Sequence, residues 1–206
     1  MAAHDRPQIT LITPPVLDLD IFPDLLAKVM DRVEIACLRL SLATRDEDGI
    51  GRAADACRLV AHGRDVAIVI ENHALFVERH GLDGVHLTDG ARSVRTLRRD
   101  LGADAILGAF CGITRHEGIT TGEAGADYVA FGPIGDSALG QGQRAGFDLF
   151  AWWSEMIEVP VIAEGALTRD LVAEFGPVTD FFAIGSEIWS AEDPAATLKD
   201  LLSPLI

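Results

Sequence analysis

The chain is short of basic residues: 17 Lys and Arg stand against 32 Asp and Glu in 206 positions, a formal net charge of −15. That deficit argues against a broad electrostatic footprint for DNA, RNA or anionic lipid, so an anionic substrate has to be captured by local groups. Cysteine is scarce as well. Cys37, Cys57 and Cys111 are odd in number and lack CxxC or zinc-like spacing, which leaves no disulfide framework or structural metal to expect. They fit a reducing cytoplasm. No run approaches about 18 consecutive apolar residues, and the first twenty residues lack a basic start followed by an apolar segment. Neither a membrane span nor a secretory leader is therefore expected. The turn after the first apolar strand reads Thr13, Pro14, Pro15 instead of GxGxxG, which removes the usual signature of an open, doubly wound sheet. No linker, low-complexity tract or charge run divides the sequence, so a single domain over residues 1–206 is expected.

What is present is an alternation of short β-branched runs with amphipathic stretches. The runs predict strands at Gln8 to Ile12, Val33 to Leu40, Val66 to Ile70, Gly84 to Leu87, Ala105 to Ala109, Tyr128 to Phe131, Val159 to Ala163 and Asp180 to Ile184. Helices are expected at Ile21 to Asp31, Asp48 to Gly63, His73 to His80, Arg92 to Leu101, Arg115 to Ala124, Phe147 to Ile157, Arg169 to Phe175 and Glu187 to Leu202. Gly81, Gly102, Gly125 and Gly176 each close a helix shortly before the next strand. Such uniformly apolar strands are those buried on both faces of a parallel sheet. Eight βα units within 206 residues specify a (β/α)8 TIM barrel of the α/β class, at the short end of its size range.

In that architecture the chemistry lies where strands end and βα loops begin. The rule selects Arg39 and Ser41, Glu71, Asn72 and His73, His86, Thr88 and Asp89, Cys111, the segment from Gly132, Glu164 with Gly165, and Gly185 with Ser186. The runs Ala163–Ala166 and Ala183–Ser186 put glycines where backbone amides can approach a phosphate, although Gly185 and Ser186 could equally serve as a turn and a helix cap. Between Gly132 and Gly146, Pro133, Gly135, Gly140 and Gly142 leave few apolar anchors, the pattern of a mobile lid. Ser137, Gln141, Gln143 and Arg144 are its potential anion ligands, the glutamines being read as solvated. A guanidinium at Arg39, on an apolar strand, requires an anionic partner: either a salt bridge to Glu71 or Glu164, or a substrate phosphate. Glu71 and Glu164 are candidate general bases or metal ligands. His86 is read as a core histidine, and Cys111 has no neighbour to activate it.

Four segments, GLDGVHL (Gly81 to Leu87), GADYVAFGPI (Gly125 to Ile134), PVIAEGAL (Pro160 to Leu167) and FFAIGSEIW (Phe181 to Trp189), resemble in order and spacing the thiamine-phosphate synthase family and its thiazole tautomerase relatives. The resemblance implies a transferase of thiamine biosynthesis that joins a pyrimidine methyl pyrophosphate to a thiazole phosphate, with magnesium. Alternatives are a phosphate-ester-binding paralog acting as sensor or carrier, and an isomerase or lyase of the tautomerase kind. By resemblance, Gly165, Ile184, Gly185 and Ser186 hold the thiazole phosphate, while Arg39, Glu71, Asn72 and Arg144 form the pyrophosphate side. The pattern Gln-x-Arg-x-Lys reads Cys37, Leu38, Arg39, Leu40, Ser41; Thr-x-Thr-Lys reads Ser137, Ala138, Leu139, Gly140. An Asn-Asp pair reads Glu71, Asn72, and the aspartate after the fourth strand falls on Ala91 with Asp89 nearby. Asn72 and Asp89 are thus the metal candidates that the resemblance implies. The partners implied are small phosphorylated molecules, with no nucleic acid or membrane, and a homo-oligomer is compatible with the sequence.

Overall fold

A computed structural model describes residues 6–205. Part of the segment in which no secretory leader is expected, residues 1–5, lies outside them. Eight parallel strands pair in chain order and close: β1 (Gln8–Ile12), β2 (Cys37–Leu40), β3 (Ala67–Glu71), β4 (Gly84–Leu87), β5 (Ile106–Phe110), β6 (Tyr128–Phe131), β7 (Val161–Glu164) and β8 (Phe181–Ile184), with β8 returning to β1. The helices are α1 (Phe22–Met30), α2 (Glu47–His62), α3 (Leu75–His80), α4 (Val94–Leu101), α5 (Arg115–Glu123), α6 (Phe147–Met156), α7 (Arg169–Phe175), α8 (Ser186–Trp189) and α9 (Pro194–Leu201). The expected (β/α)8 barrel is the fold observed.

Most boundaries shift by a residue or two, but three differences carry meaning. Strand β2 begins at Cys37 rather than Val33, and β3 and β7 run one residue further than expected, which takes Glu71 and Glu164 into the strands themselves. The predicted last helix is two helices. Asp193 caps α9 by accepting a hydrogen bond from Ala196 N–H, and Pro194 at its first position has no N–H to continue a preceding helix. Gly176 does not end its helix in a left-handed turn but leads into a 3₁₀ turn, Gly176–Val178.

Alternation along the strands divides the core in two. Outward-facing residues such as Leu11, Leu38, Ile70, Val85, Leu107, Val129, Phe182 and Ile184 pack beneath the helices in one continuous cluster. The inward residues make a second, smaller cluster of Ala130, Ile162 and Ala183 with Ile12, Phe110, Tyr128 and Phe181 against it. Barrel interiors are ordinarily filled by Val, Ile and Leu. This one instead gives much of its space to Tyr128, whose ring lies against Gly108 on the neighbouring strand: a Cβ added there would sit 1.9 Å from the ring. Gly108 is therefore a packing requirement. Gly108→Ala should lower stability by about 1–3 kcal/mol, the usual cost of overfilling a packed core, measurable as a reduced urea midpoint; an unchanged midpoint would show that the tyrosine ring is free to move.

Candidate active site

Inside the barrel, polar side chains from four strands meet. Arg39 of β2 and Glu164 of β7 are almost wholly buried, 4% and 2% exposed, and form an ion pair in which Arg39 Nη2 donates to Glu164 Oε2. Arg39 Nη1 donates to His86 Nε2 at 2.6 Å. A guanidinium has only donors, so His86 Nε2 is the acceptor and the ring proton sits on Nδ1, where it is donated to the Tyr128 hydroxyl at 3.0 Å. His86 and Tyr128 also stack, with ring centroids 5.7 Å apart. Burial, aided by the Arg39 charge, holds the His86 pKa well below its ordinary 6.5, so the imidazole is neutral. Burial raises the Tyr128 phenol above its ordinary value. The buried Arg39 Nε–H has no hydrogen-bond partner among the described residues. Of the two partners open to Arg39 in the sequence, a substrate phosphate or a carboxylate, the barrel supplies the carboxylate of Glu164. Neither residue projects from the rim as a clamp or a free base.

The other sequence candidates are at the rim but mostly engaged. Glu71 ends β3 half-buried, with no side-chain hydrogen bond among the described residues. Asn72, in a left-handed conformation (φ 61), is tied to Thr88: its Oδ1 accepts from Thr88 N–H at 3.0 Å and its Nδ2 donates to Thr88 Oγ1 at 2.9 Å. Asp89 accepts from Ser93 Oγ at 2.8 Å. Ser137 Oγ accepts from Leu139 N–H within its own turn, and Arg144 donates from Nε to Asp136 at 2.9 Å. Cys111 is buried against Thr121, and burial pushes its thiol up to about 12, which rules it out as a ready nucleophile.

An open cleft of about 600 Å³ lies at the strands' C-terminal ends, between the loops after β4, β5 and β6. Thr88 and Asp89 form one wall, His116, Glu117 and Thr120 of α5 another, Gln141 and Gln143 the third, with Phe110 among its lining residues. Both glutamines, read from sequence as solvated, thus face the cleft, whereas Glu71, Asn72, Arg39 and Arg144 do not line it. His116 and Glu117 were missed. A signal for them exists: Thr114 caps α5 by accepting from Glu117 N–H, a Ser/Thr-x-x-Glu start that fixes the helix's first turn directly above β5 and therefore on the rim.

Next along the rim, beyond the loop after β6, the loops after β7 and β8 are bridged by one side chain. Gly165 has φ +93, and Pro133 of the lid packs so close that an added Cβ would lie 2.7 Å from it. The backbone N–H groups of Leu167 and Gly185 converge on one carboxylate, that of Glu187, at 3.1 and 2.8 Å. Gly185 itself is the residue before α8; Ser186 is the helix's first residue, exposed, and makes no capping bond, while Ile184 is fully buried at the end of β8. The lid is rooted in this region, because Ile134 N–H donates to Glu164 O (3.0 Å) and Gly135 N–H to Gly165 O (2.9 Å).

The thiamine monophosphate synthase family model matches residues 9–184, nearly the whole barrel. The chain belongs to that family. It is 36% identical over 198 residues to the thiamine-phosphate synthase of Rhodospirillum centenum, covering 94% of this chain and 95% of that protein. The thiamine-phosphate synthase of Erythrobacter litoralis is 33% identical over 208 residues, covering 95% of each. Among solved structures, the thiamine phosphate pyrophosphorylase of Pyrococcus furiosus superposes with a TM-score of 0.83 over 96% of this chain and 95% of that one, at 16% identity, a likeness of fold. No helix among the described residues is long and apolar enough to cross a membrane.

Two measurements follow from the interior network. Removing one member of the buried pair leaves an uncompensated charge, so Arg39→Met or Glu164→Met should each cost about 3–5 kcal/mol, and the Arg39→Met/Glu164→Met double variant less than the sum. Additive losses in urea unfolding would mean the two side chains act independently. Because folding depresses the His86 pKa, the unfolded chain binds a proton there that the folded chain refuses, and stability drains away as pH falls through and below about 6.5. The destabilisation caused by His86→Gln should accordingly shrink between pH 7.5 and pH 5.5; a penalty that grows on acidification would contradict a neutral His86.

Proposed function

We propose that this chain is a thiamine-phosphate synthase, coupling a pyrimidine methyl pyrophosphate to a thiazole phosphate. The observation that carries the reading is the near-complete coverage of named synthases at 33–36% identity, on a rim with one open cleft and, after β7 and β8, a pair of convergent backbone amides. The cleft between the loops after β4, β5 and β6 takes the pyrimidine pyrophosphate. The amides after β7 and β8, with Gly165, Gly185 and Ser186, take the phosphate of the thiazole.

The reaction needs no enzyme-bound nucleophile. The bond between the pyrimidine methylene carbon and the pyrophosphate oxygen breaks, pyrophosphate leaves with the electron pair, and the thiazole nitrogen forms the new C–N bond to the resulting cation. The protein's work is therefore to hold the two partners in line and to stabilise the charge that develops on the departing oxygen. His116 and the Gln141 and Gln143 carboxamides are among the donors that line the cleft, beside the Thr88, Thr114 and Thr120 hydroxyls, and the lid that carries both glutamines closes the site against water. Arg39 acts from below, as half of a neutral floor, rather than as a pyrophosphate ligand.

Magnesium fits this donor set in a limited way. The ion is usually held by one or two carboxylates together with substrate phosphate oxygens. Asp89 and Glu117 both line the cleft, whereas the amide of Asn72 is spent on Thr88. No cluster of three or more His, Cys, Asp or Glu side chains forms a metal centre among the described residues. When bound with substrate, the ion would supply positive charge to the pyrophosphate.

Purified protein supplied with both phosphorylated precursors and magnesium should release thiamine phosphate and pyrophosphate in equal amounts, and His116→Ala should lower kcat by on the order of a hundredfold, the scale of losing one donor to a developing anion. Absence of product at high enzyme concentration would remove the reading, and a full-rate His116→Ala enzyme would remove that residue's role.

A further inference from the structure

The Glu187 carboxylate spans two loops with one oxygen for each: Oε1 accepts from Leu167 N–H after β7, and Oε2 accepts from Gly185 N–H after β8. No Lys, Arg or His lies within salt-bridge distance of it among the described residues. Within the protein its charge is met by two backbone N–H groups, the environment such amides offer to an oxyanion. Gly185, two residues upstream, has φ −143 and ψ −90, outside both the helical and the extended regions, and a Cβ there would sit 3.0 Å from Ile12, so the side chain of Glu187 folds back over a closely packed backbone.

We propose that Glu187 is a specificity-determining residue, an internal anion that occupies the amides a phosphate ester needs. The inference rests on the reading that the second substrate is placed by the loops after β7 and β8. A phosphate arriving there has to displace the carboxylate and then share the space with it; a neutral hydroxyl at the same end of the thiazole does not. Glu187 therefore narrows the advantage of the phosphorylated thiazole over the corresponding alcohol. Two charge-assisted hydrogen bonds and a like-charge contact are at stake, enough for roughly a 10- to 100-fold change in affinity.

The test is calorimetric titration of the full chain with inorganic phosphate, thiazole phosphate and the unphosphorylated thiazole alcohol, for wild type, Glu187→Ala and Glu187→Gln. Glu187→Ala should bind inorganic phosphate and thiazole phosphate roughly 10- to 100-fold more tightly, with the alcohol unchanged. Glu187→Gln keeps one acceptor oxygen without the charge and should fall between; it also carries the test if the alanine variant does not fold. Phosphate affinity that is unchanged or weaker in both variants overturns the proposal, and so does an equal gain for the alcohol, which would mark Glu187 as a latch on the loops rather than a selector of charge. Thiamine phosphate formation is assayed separately. Turnover without the affinity shift defeats this inference alone, whereas the shift without turnover in any variant defeats the synthase reading alone.

Discussion

The constraint on which this molecule turns is a positive charge inside a closed cylinder of strands. Arg39 faces inward because Leu38 and Leu40 face the helices, and the alternation of a strand allows no other choice. A buried guanidinium without a counterion is not tolerable, so the barrel places Glu164 across from it and surrounds the pair with a neutral His86 and a Tyr128 hydroxyl. Those demands reach the neighbours. Tyr128 needs room, which only a glycine at position 108 supplies, and His86 must stay uncharged beside the arginine.

That arrangement divides the labour between floor and rim. Because the strongest cation in the barrel is already neutralised, the anionic ends of substrates are left to weaker, more numerous donors: carboxamides, an imidazole and backbone amides. In a chain with a net charge of −15, this makes local geometry the main means of attracting a phosphorylated molecule. The position of Glu187 adds to the same theme, since the two convergent amides after β7 and β8 are both met by the protein's own carboxylate.

The barrel was legible because its signals are local. Eight apolar runs, each followed by a helical period, need no knowledge of distant contacts, and the resemblance of four segments to a known family located the loops. The interior network was only half legible. Arg39 demanded a partner on energetic grounds alone, but whether it would be Glu71, Glu164 or a ligand depends on which strands face each other across the cylinder, and strand spacing in sequence does not reveal that. Glu71 and Glu164 were assigned to loops because a charged residue ends an apolar run, yet both belong to strands. His116 and Glu117 escaped notice for the opposite reason: they sit in an ordinary helical pattern, and only closure of the barrel shows that the first turn of α5 overlooks the cleft. The last helix was drawn unbroken because its apolar spacing continues through Pro194, whose missing N–H outweighs that periodicity.

Glu164 holds two attachments at once. Its side chain grips Arg39 in the floor, and its main-chain carbonyl receives Ile134 N–H from the root of the segment that covers the cleft. The hydrogen-bond ladder between β6 and β7 thus continues upward past the barrel's edge, stiffening the base of that flap while its glycine-bearing tip, Gly140 and Gly142, stays clear of it. The stem of the cover and the counterion of the buried arginine therefore share one anchor in the seventh strand, so a change at that single residue reaches both the interior and the mouth of the cylinder.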